Sequence, residues 1–202
     1  MESDFDIEFH RINHEFLDMR TTLVNDIQVL LCQLNGENRQ VLRRAVYRAM
    51  FAYIEGIVFV LKKEMQLFQK QEGWRPQGRK MRFLTEQNET VNRSGQVVNV
   101  PYHVPLSRGI PYVFRIYADV HWLEFELDTT NHGWTCLLKA AKVRNRVTHP
   151  KCVQDLVISD EEVYIMLHGV NWFDSALKNL FDECGKSYLQ RAEALRRCEV
   201  DN

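Results

Sequence analysis

Several signatures are missing from this 202-residue chain, and each absence removes a class of protein. Its five cysteines, Cys32, Cys136, Cys152, Cys184 and Cys198, form no CxxC pair and lie far apart, mostly inside helical patterns. Reduced thiols are therefore expected in place of a disulfide framework or a zinc knot. The opening MESDFDIEF is acidic and lacks the basic stretch and apolar run of a secretory leader. The most apolar window, AMFAYIEGIVFVL, is interrupted by Glu55 and falls short of the roughly 20 residues that span a bilayer. A cytoplasmic protein with no membrane partner is expected. No internal repeat or low-complexity segment is present. The HExxH pattern of a catalytic zinc helix is absent too, because Arg11 follows His10. His10, His14 and Asp18 share one helical face, but they are more simply the polar flank of the adjacent Phe9, Ile12 and Phe16 stripe. No metal or other cofactor is expected.

What is present is ordinary in bulk and particular in arrangement. A 45% hydrophobic and 26% charged composition suits one globular domain over 1–202, long enough to bury a substantial core. Phe5, Phe9, Ile12, Phe16, Met19, Leu23, Ile27 and Leu30 recur every three or four residues, which predicts a long first helix ended by Asn35, Gly36 and Asn38. A second helix is expected over Arg39–Gln71, with Leu42, Val46, Met50, Tyr53, Ile57, Leu61, Met65 and Phe68 as its stripe and an almost all-round apolar middle.

Helical periodicity stops at Gly73. Residues 73–108 collect Pro, Gly and Asn and contain two strand-like pieces, MRFLTE and GQVVNVPYHV, so an insertion, a loop or β-hairpin, is expected between helices two and three. Its run Arg75–Arg82, with Trp74 and Phe83, mixes basic and aromatic side chains of the kind that grips single-stranded RNA, although a solvated loop is the simpler account. Ile110-Pro111 suits a helix start. Val113, Ile116, Tyr117, Val120 and Leu123 then form a stripe until DTTNHGW breaks the helix. It resumes with Trp134, Leu137, Leu138 and Ala141 facing inward. Ser159 followed by Glu162 forms a capping-box pattern that opens the last helix. The expected fold is all-α: an up-and-down bundle of about four long helices, the third broken.

The chemistry concentrates in KAAKVRNRVTHPK. Between Asp128 and Asp155 the only charged side chains are Lys139, Lys142, Arg144, Arg146 and Lys151, joined by His132 and His149. The net charge of the whole chain is only -1, so this positive field is local, and it attracts anions. Arg144 and His149 are five apart, about 140° on an ideal helix, and would diverge on a continuous one. Pro150 pushes His149 out of the helical region and frees it to swing relative to Arg144. Asn145, one turn below, is placed to hold an imidazole nitrogen. A histidine is suited to acid or base work near neutrality. A solvated helix end with a capping histidine is the plainer reading of the pair alone.

RNRVTH, Arg144 to His149, resembles the R-x(4–6)-H signature, often with Asn directly after the Arg, of the HEPN superfamily (higher eukaryotes and prokaryotes nucleotide-binding domains). In that family the signature lies at the end of a helix in a compact bundle, and the resemblance covers the helical part of this chain without the 73–108 insertion. It implies a HEPN-like bundle acting as a metal-independent endoribonuclease in a toxin–antitoxin, phage-defence or RNA-processing role. Two copies of the motif would meet across a homodimer interface to form one cleft, and an antitoxin protein is a further expected partner. By the same resemblance Arg144 would stabilise charge on the scissile phosphate, and His149 would act as general acid or base, leaving a 2',3'-cyclic phosphate. Asn145 would orient His149 or a phosphate oxygen. Members regulated by nucleotide addition carry a tyrosine two positions after the histidine, where this chain has Lys151.

Lys139, Lys142, Arg146 and Lys151, singly a solvated face, become RNA-backbone contacts in that context. Glu55, set in an apolar helix, needs a cation if buried; a structural ion pair is the plainer reading, and support for Arg144 the sharper one. Trp122, Trp134 and Trp172 read as core or interface aromatics. Two other readings of the chain stand beside the nuclease: a HEPN-like module that binds RNA or a protein without cleaving, and a purely structural dimerisation module.

Overall fold

The computed structural model describes residues 3–37, 39–69 and 78–200, with residues 195 and 198–200 described by backbone alone. Six α-helices and one two-stranded antiparallel sheet account for most of the described residues, so the chain is predominantly α-helical. The chain divides into two compact units, 1–113 and 114–202, and the division falls within helix α4 (Leu106–His121).

The first unit is built on α1 (Asp4–Gly36) and α2 (Gln40–Phe68). Ser3 starts α1 with a reciprocal capping box: its hydroxyl accepts from the Asp6 amide at 3.2 Å while the Asp6 carboxylate accepts from the Ser3 amide at 3.1 Å. The Ser3 hydroxyl, foremost, and that amide hold the Asp6 carboxyl below its usual range. Asn38 and the expected helix end at Gln71 lie outside the described residues. Along α1 the predicted stripe faces α2, but only Ile12, Ile27 and Leu34 are buried. Phe5, Phe9, Phe16 and Met19 stay half-buried around Ile12, Val60 and Leu67, and Phe68 meets the edges of Phe5 and Phe9 at 5.3 and 5.9 Å.

Glu55 corrects an expectation. Arg48, Ala52, Glu55 and Phe59, spaced by four, three and four, form the exposed stripe of α2, so Glu55 is not inside an apolar shell. The buried charged groups of this helix are instead Arg43, Lys62 and Glu64. Lys62 donates to Glu86 at 2.7 Å and lies 4.2 Å over the Phe83 ring.

The insertion also differs in detail. MRFLTE, expected as a strand, belongs to helix α3 (Arg79–Thr85). Its adjacent Phe83 and Leu84 are both buried, the Gln66 amide donates to the Leu84 carbonyl at 2.6 Å, and Thr85 bonds back to the Met81 carbonyl at 3.0 Å. Contacts to α2 therefore override the strand-like alternation. Strands β1 (Gln87–Val91) and β2 (Val97–Pro101) follow as a hairpin in which Gln87 pairs with Pro101. The second expected strand is thus present, and the first lies just after the place expected. Trp74 to Gln77 of the basic-aromatic run lie outside the described residues. Phe83, at the end of that run, is buried under Lys62.

Helix α4 begins at Leu106, a turn and a half before the expected start, and carries Pro111 inside it. The Pro105 carbonyl accepts the first turn's amides from Arg108 and Gly109, both at 2.8 Å. The helix is already established when Pro111 forfeits its bond to Ser107.

In the second unit α4 ends at His121 and the chain turns on Trp122, whose φ of 53° is left-handed. Trp122, expected as a core or interface aromatic, is 68% exposed, and Arg191 stacks over its ring at 4.9 Å while donating to the His121 carbonyl at 2.9 Å. The break, expected at 128–134, instead spans 122–131, after which α5 (His132–Thr148) begins under an Asn131 cap that accepts from the Trp134 amide at 3.0 Å. The buried stripe of α5 is Trp134, Cys136, Leu137, Ala140, Val143 and Val147; Leu138 and Ala141 are only half-buried. Asp128 organises the break, its carboxyl held below the usual range by the Thr130 amide, then by the Thr130 hydroxyl and Asn131.

A short 3-10 turn, η1 (Val153–Leu156), leads to α6 (Asp160–Val200). The expected capping box is formed: Ser159 N–H donates to the Glu162 carboxylate at 3.0 Å and Glu162 N–H to the Ser159 hydroxyl at 3.2 Å. Helices α5 and α6 approach so closely that a Cβ on Gly169 would lie 2.8 Å from Leu137 Cα and 2.9 Å from its backbone nitrogen. One on Gly133 would meet the Trp172 Cβ at 2.5 Å. Glycine at 169 allows near backbone-to-backbone contact, and glycine at 133 leaves room for the Trp172 side chain.

Candidate functional site at the C-terminal end of helix α5

The site is assembled by one helix and its exit. Thr135, Lys139, Lys142, Asn145 and His149 are all exposed, at spacings of four, three, three and four, and therefore share one solvent-facing stripe. Arg144 starts about 100° round the helix from Asn145 and is half-buried. Its guanidinium reaches back across that angle, Nη1 donating to Asn145 Oδ1 at 3.2 Å. Asn145 thus draws the Arg144 charge towards the stripe that carries His149.

His149 leaves the helix as the proline requires, with φ -125° and ψ 60°, while its amide still donates to the Asn145 carbonyl at 3.0 Å. Its ring is exposed and makes no hydrogen bond among the described residues. The Asn145 side chain, expected on an imidazole nitrogen, is engaged by Arg144. The Thr148 hydroxyl donates to the Arg144 carbonyl at 2.8 Å and finishes the last turn.

Arg146 behaves differently from its basic neighbours. Its Nη2 donates to the Val157 carbonyl at 2.8 Å and to Glu162 Oε2 at 3.0 Å, and its Nε is buried without a partner. Its side chain is 34% exposed and that of Glu162 22%. Expected as an RNA contact, Arg146 in this arrangement spans the connection between α5 and α6. The exposed cations of the cluster are Lys139, Lys142 and Lys151, with Arg144 half-exposed beside them.

Asp155 carries no role in the sequence reading, yet it shapes the chain after His149. Its carboxylate accepts from the Lys151 amide at 2.8 Å and the Cys152 amide at 3.3 Å. The Lys151 amide, foremost, then Cys152 and the charge of Arg146 hold this carboxyl below its ordinary range, against some desolvation. The signal was present in sequence as an acid three residues after Cys152, the same spacing as Ser159 and Glu162. What sequence could not supply is the second task of Glu162, which caps α6 and receives Arg146 with one oxygen.

Glu55, the supporting candidate, belongs to the other unit and is exposed there, so burial supplies no need for a cation. His14 and Asp18 pair at 3.2 Å on an exposed face. Among the described residues no group of three or more His, Cys, Asp or Glu side chains is arranged to hold a metal ion. Cys32, Cys136, Cys152 and Cys184 form no disulfide. No described helix is long and apolar enough to cross a membrane.

The site can offer a planar cationic fork, an imidazole open to solvent and a row of lysines, groups that together address a phosphodiester. No protein-family profile, curated protein or solved structure matches this chain.

Proposed function

We propose that this chain is a metal-independent endoribonuclease of the HEPN type, working as a cytoplasmic homodimer in a toxin–antitoxin, phage-defence or RNA-processing role. The observation that carries the reading is the grouping of Arg144, Asn145 and His149 on the exposed end of α5, with the guanidinium turned onto Asn145 and the imidazole outside the helix.

In this reading Lys139, Lys142 and Lys151 attract the RNA backbone, and Arg144 donates to the non-bridging oxygens of one phosphate. His149 takes the proton of the ribose 2'-hydroxyl or gives one to the departing 5'-oxygen. The 2'-oxygen forms its bond to phosphorus as the bond from phosphorus to the 5'-oxygen breaks. The products are a 2',3'-cyclic phosphate and a 5'-hydroxyl. Charge on the five-coordinate phosphorus is greatest midway, so Arg144 acts mainly on the transition state. Each chain carries one such histidine, and a pair of chains would supply a base and an acid together.

The deciding experiment is RNA cleavage under excess chelator by the wild-type protein, Arg144→Ala and His149→Ala, all matched for thermal stability. Cleavage by wild type alone, ending in 2',3'-cyclic phosphate, is the expected result. Equal cleavage by all three would sink the assignment. Absence of cleavage in all three, with RNA retained by the lysine stripe in a binding assay, would replace the nuclease with a non-catalytic RNA-binding module. A dimer that neither cleaves nor binds RNA would leave a protein-interaction module.

A further inference from the structure

The connection between α5 and α6 is tied down far more closely than a surface loop requires. His149 N–H is held by the Asn145 carbonyl, Lys151 and Cys152 by Asp155, Asp155 N–H by the Cys152 carbonyl at 3.2 Å, and Val157 N–H by Gln154 at 3.1 Å. Arg146 then holds the Val157 carbonyl, Ile158 is fully buried, and Glu162 holds Ser159. The two ends meet in one ion pair, Arg146 with Glu162. That pair starts in the last turn of α5, two residues beyond Arg144, and reaches the first turn of α6.

We infer that Arg146, Glu162 and Asp155 form a latch that positions His149, and that Arg146 acts through the backbone it holds rather than on RNA. The kinetic part of this inference rests on the nuclease reading above; the structural part does not. Three features argue for it. The Arg146 charge is spent on Glu162, whose single Oε2 also accepts the Ser159 amide, so little of that charge is left for a phosphate. The Nε of Arg146 is buried with no partner, a cost that a freely mobile phosphate-binding arginine would avoid by turning to water. Finally, the backbone that the latch fixes begins at the Lys151 amide, two residues after His149, and a misplacement of about 1 Å at a reacting group lowers rate by up to about a hundredfold.

The test measures two things on the full chain: amide hydrogen exchange over 150–158 and steady-state cleavage of a short RNA. Variants are Arg146→Gln, Glu162→Gln, the double change, and Arg146→Lys, with Ser159→Ala as a control that removes the α6 cap and leaves Arg146 in place. Each single change is expected to speed exchange over Lys151–Val157 by about tenfold. It should also lower kcat by about tenfold with KM unchanged, because the lost interaction positions and does not bind. The double variant should be no worse than either single one, since both break one unit. Arg146→Lys, which keeps the charge, should restore part of both readouts, and Ser159→Ala should leave kcat alone.

A raised KM with unaltered exchange in Arg146→Gln would overturn the latch and return Arg146 to the RNA-contacting lysines. Should the wild-type protein cleave nothing, the nuclease reading fails. Exchange then decides the latch by itself: unaltered exchange in both Arg146→Gln and Glu162→Gln overturns it. If Glu162→Gln does not fold, Arg146→Gln carries the same test.

Discussion

The two helical hairpins of this protein hold together by opposite means. In α1–α2 the helices meet through long, partly exposed side chains, Phe5, Phe9, Phe16 and Met19, around a few buried positions. Even the glycine on that seam, Gly56, faces a soft neighbour, with a Cβ there 3.2 Å from the Met19 sulfur. In α5–α6 the glycines face rigid neighbours, the Leu137 backbone and the Trp172 Cβ, and the open end is closed by hydrogen bonds and an ion pair. Flexible side chains can re-pack when their neighbours change, whereas backbone atoms in contact cannot. The candidate site lies on the second kind of hairpin, where groups are held in fixed positions.

The largest expected effect tests that difference directly. Gly169→Ala should destabilise by about 3 kcal/mol, the upper part of the usual cost of overpacking, because the added methyl meets backbone. Urea or thermal unfolding measures it. A loss below about 0.5 kcal/mol, the size of an ordinary surface change, would show that the close approach is not rigid.

Next in size are the caps. Removing the α6 cap with Ser159→Ala should cost about 1 kcal/mol. Arg39, which starts α2 with no side-chain cap, offers the converse: Arg39→Ser should gain up to about 1 kcal/mol if the first hairpin is as adaptable as its packing indicates.

The third concerns acid. The Asp155 carboxyl lies below its ordinary value in the folded chain, so its contribution is present above about pH 4 and is lost as pH falls through the depressed value. Amide exchange at Lys151 and Cys152 should therefore rise in acid, and Asp155→Asn should abolish that dependence. An acid titration that leaves those two amides unmoved would contradict it.

The smallest effect is Gly56→Ala, the same substitution as in α6 but against the Met19 thioether. Helix propensity gains up to about 1 kcal/mol and the thioether yields by a few tenths of an ångström, so the net change should lie near zero or be slightly stabilising. If Gly56→Ala and Gly169→Ala cost the same, the contrast between the hairpins is wrong.

How far the sequence could be read follows the same divide. The long stripes of α1 and α2, the Ser159 and Glu162 cap, and the exit of His149 ahead of Pro150 were all legible, because each depends on neighbours within a few residues. The helical state of MRFLTE was not: it depends on Lys62 and Gln66 of another helix. The exposure of Glu55 was not legible either, because its neighbours in sequence are apolar while its side of the helix faces solvent. The partners of Arg146 were the least legible. Nothing local separates it from Lys142 or Arg144, and its partners lie 11 and 16 residues away.

The contact between Gly169 and Leu137 also has a mechanical meaning. Two helices this close to backbone contact cannot slide past each other there, and the approach of Gly133 to Trp172 further resists a pivot about that point. From Leu137 to His149 the lever arm is about 18 Å along the helix, and a 5° pivot would carry the imidazole about 1.6 Å sideways. A pin at one point and a clasp near the far end turn a hinged arm into a braced one. The brace is Arg146, three residues from the histidine whose travel it limits.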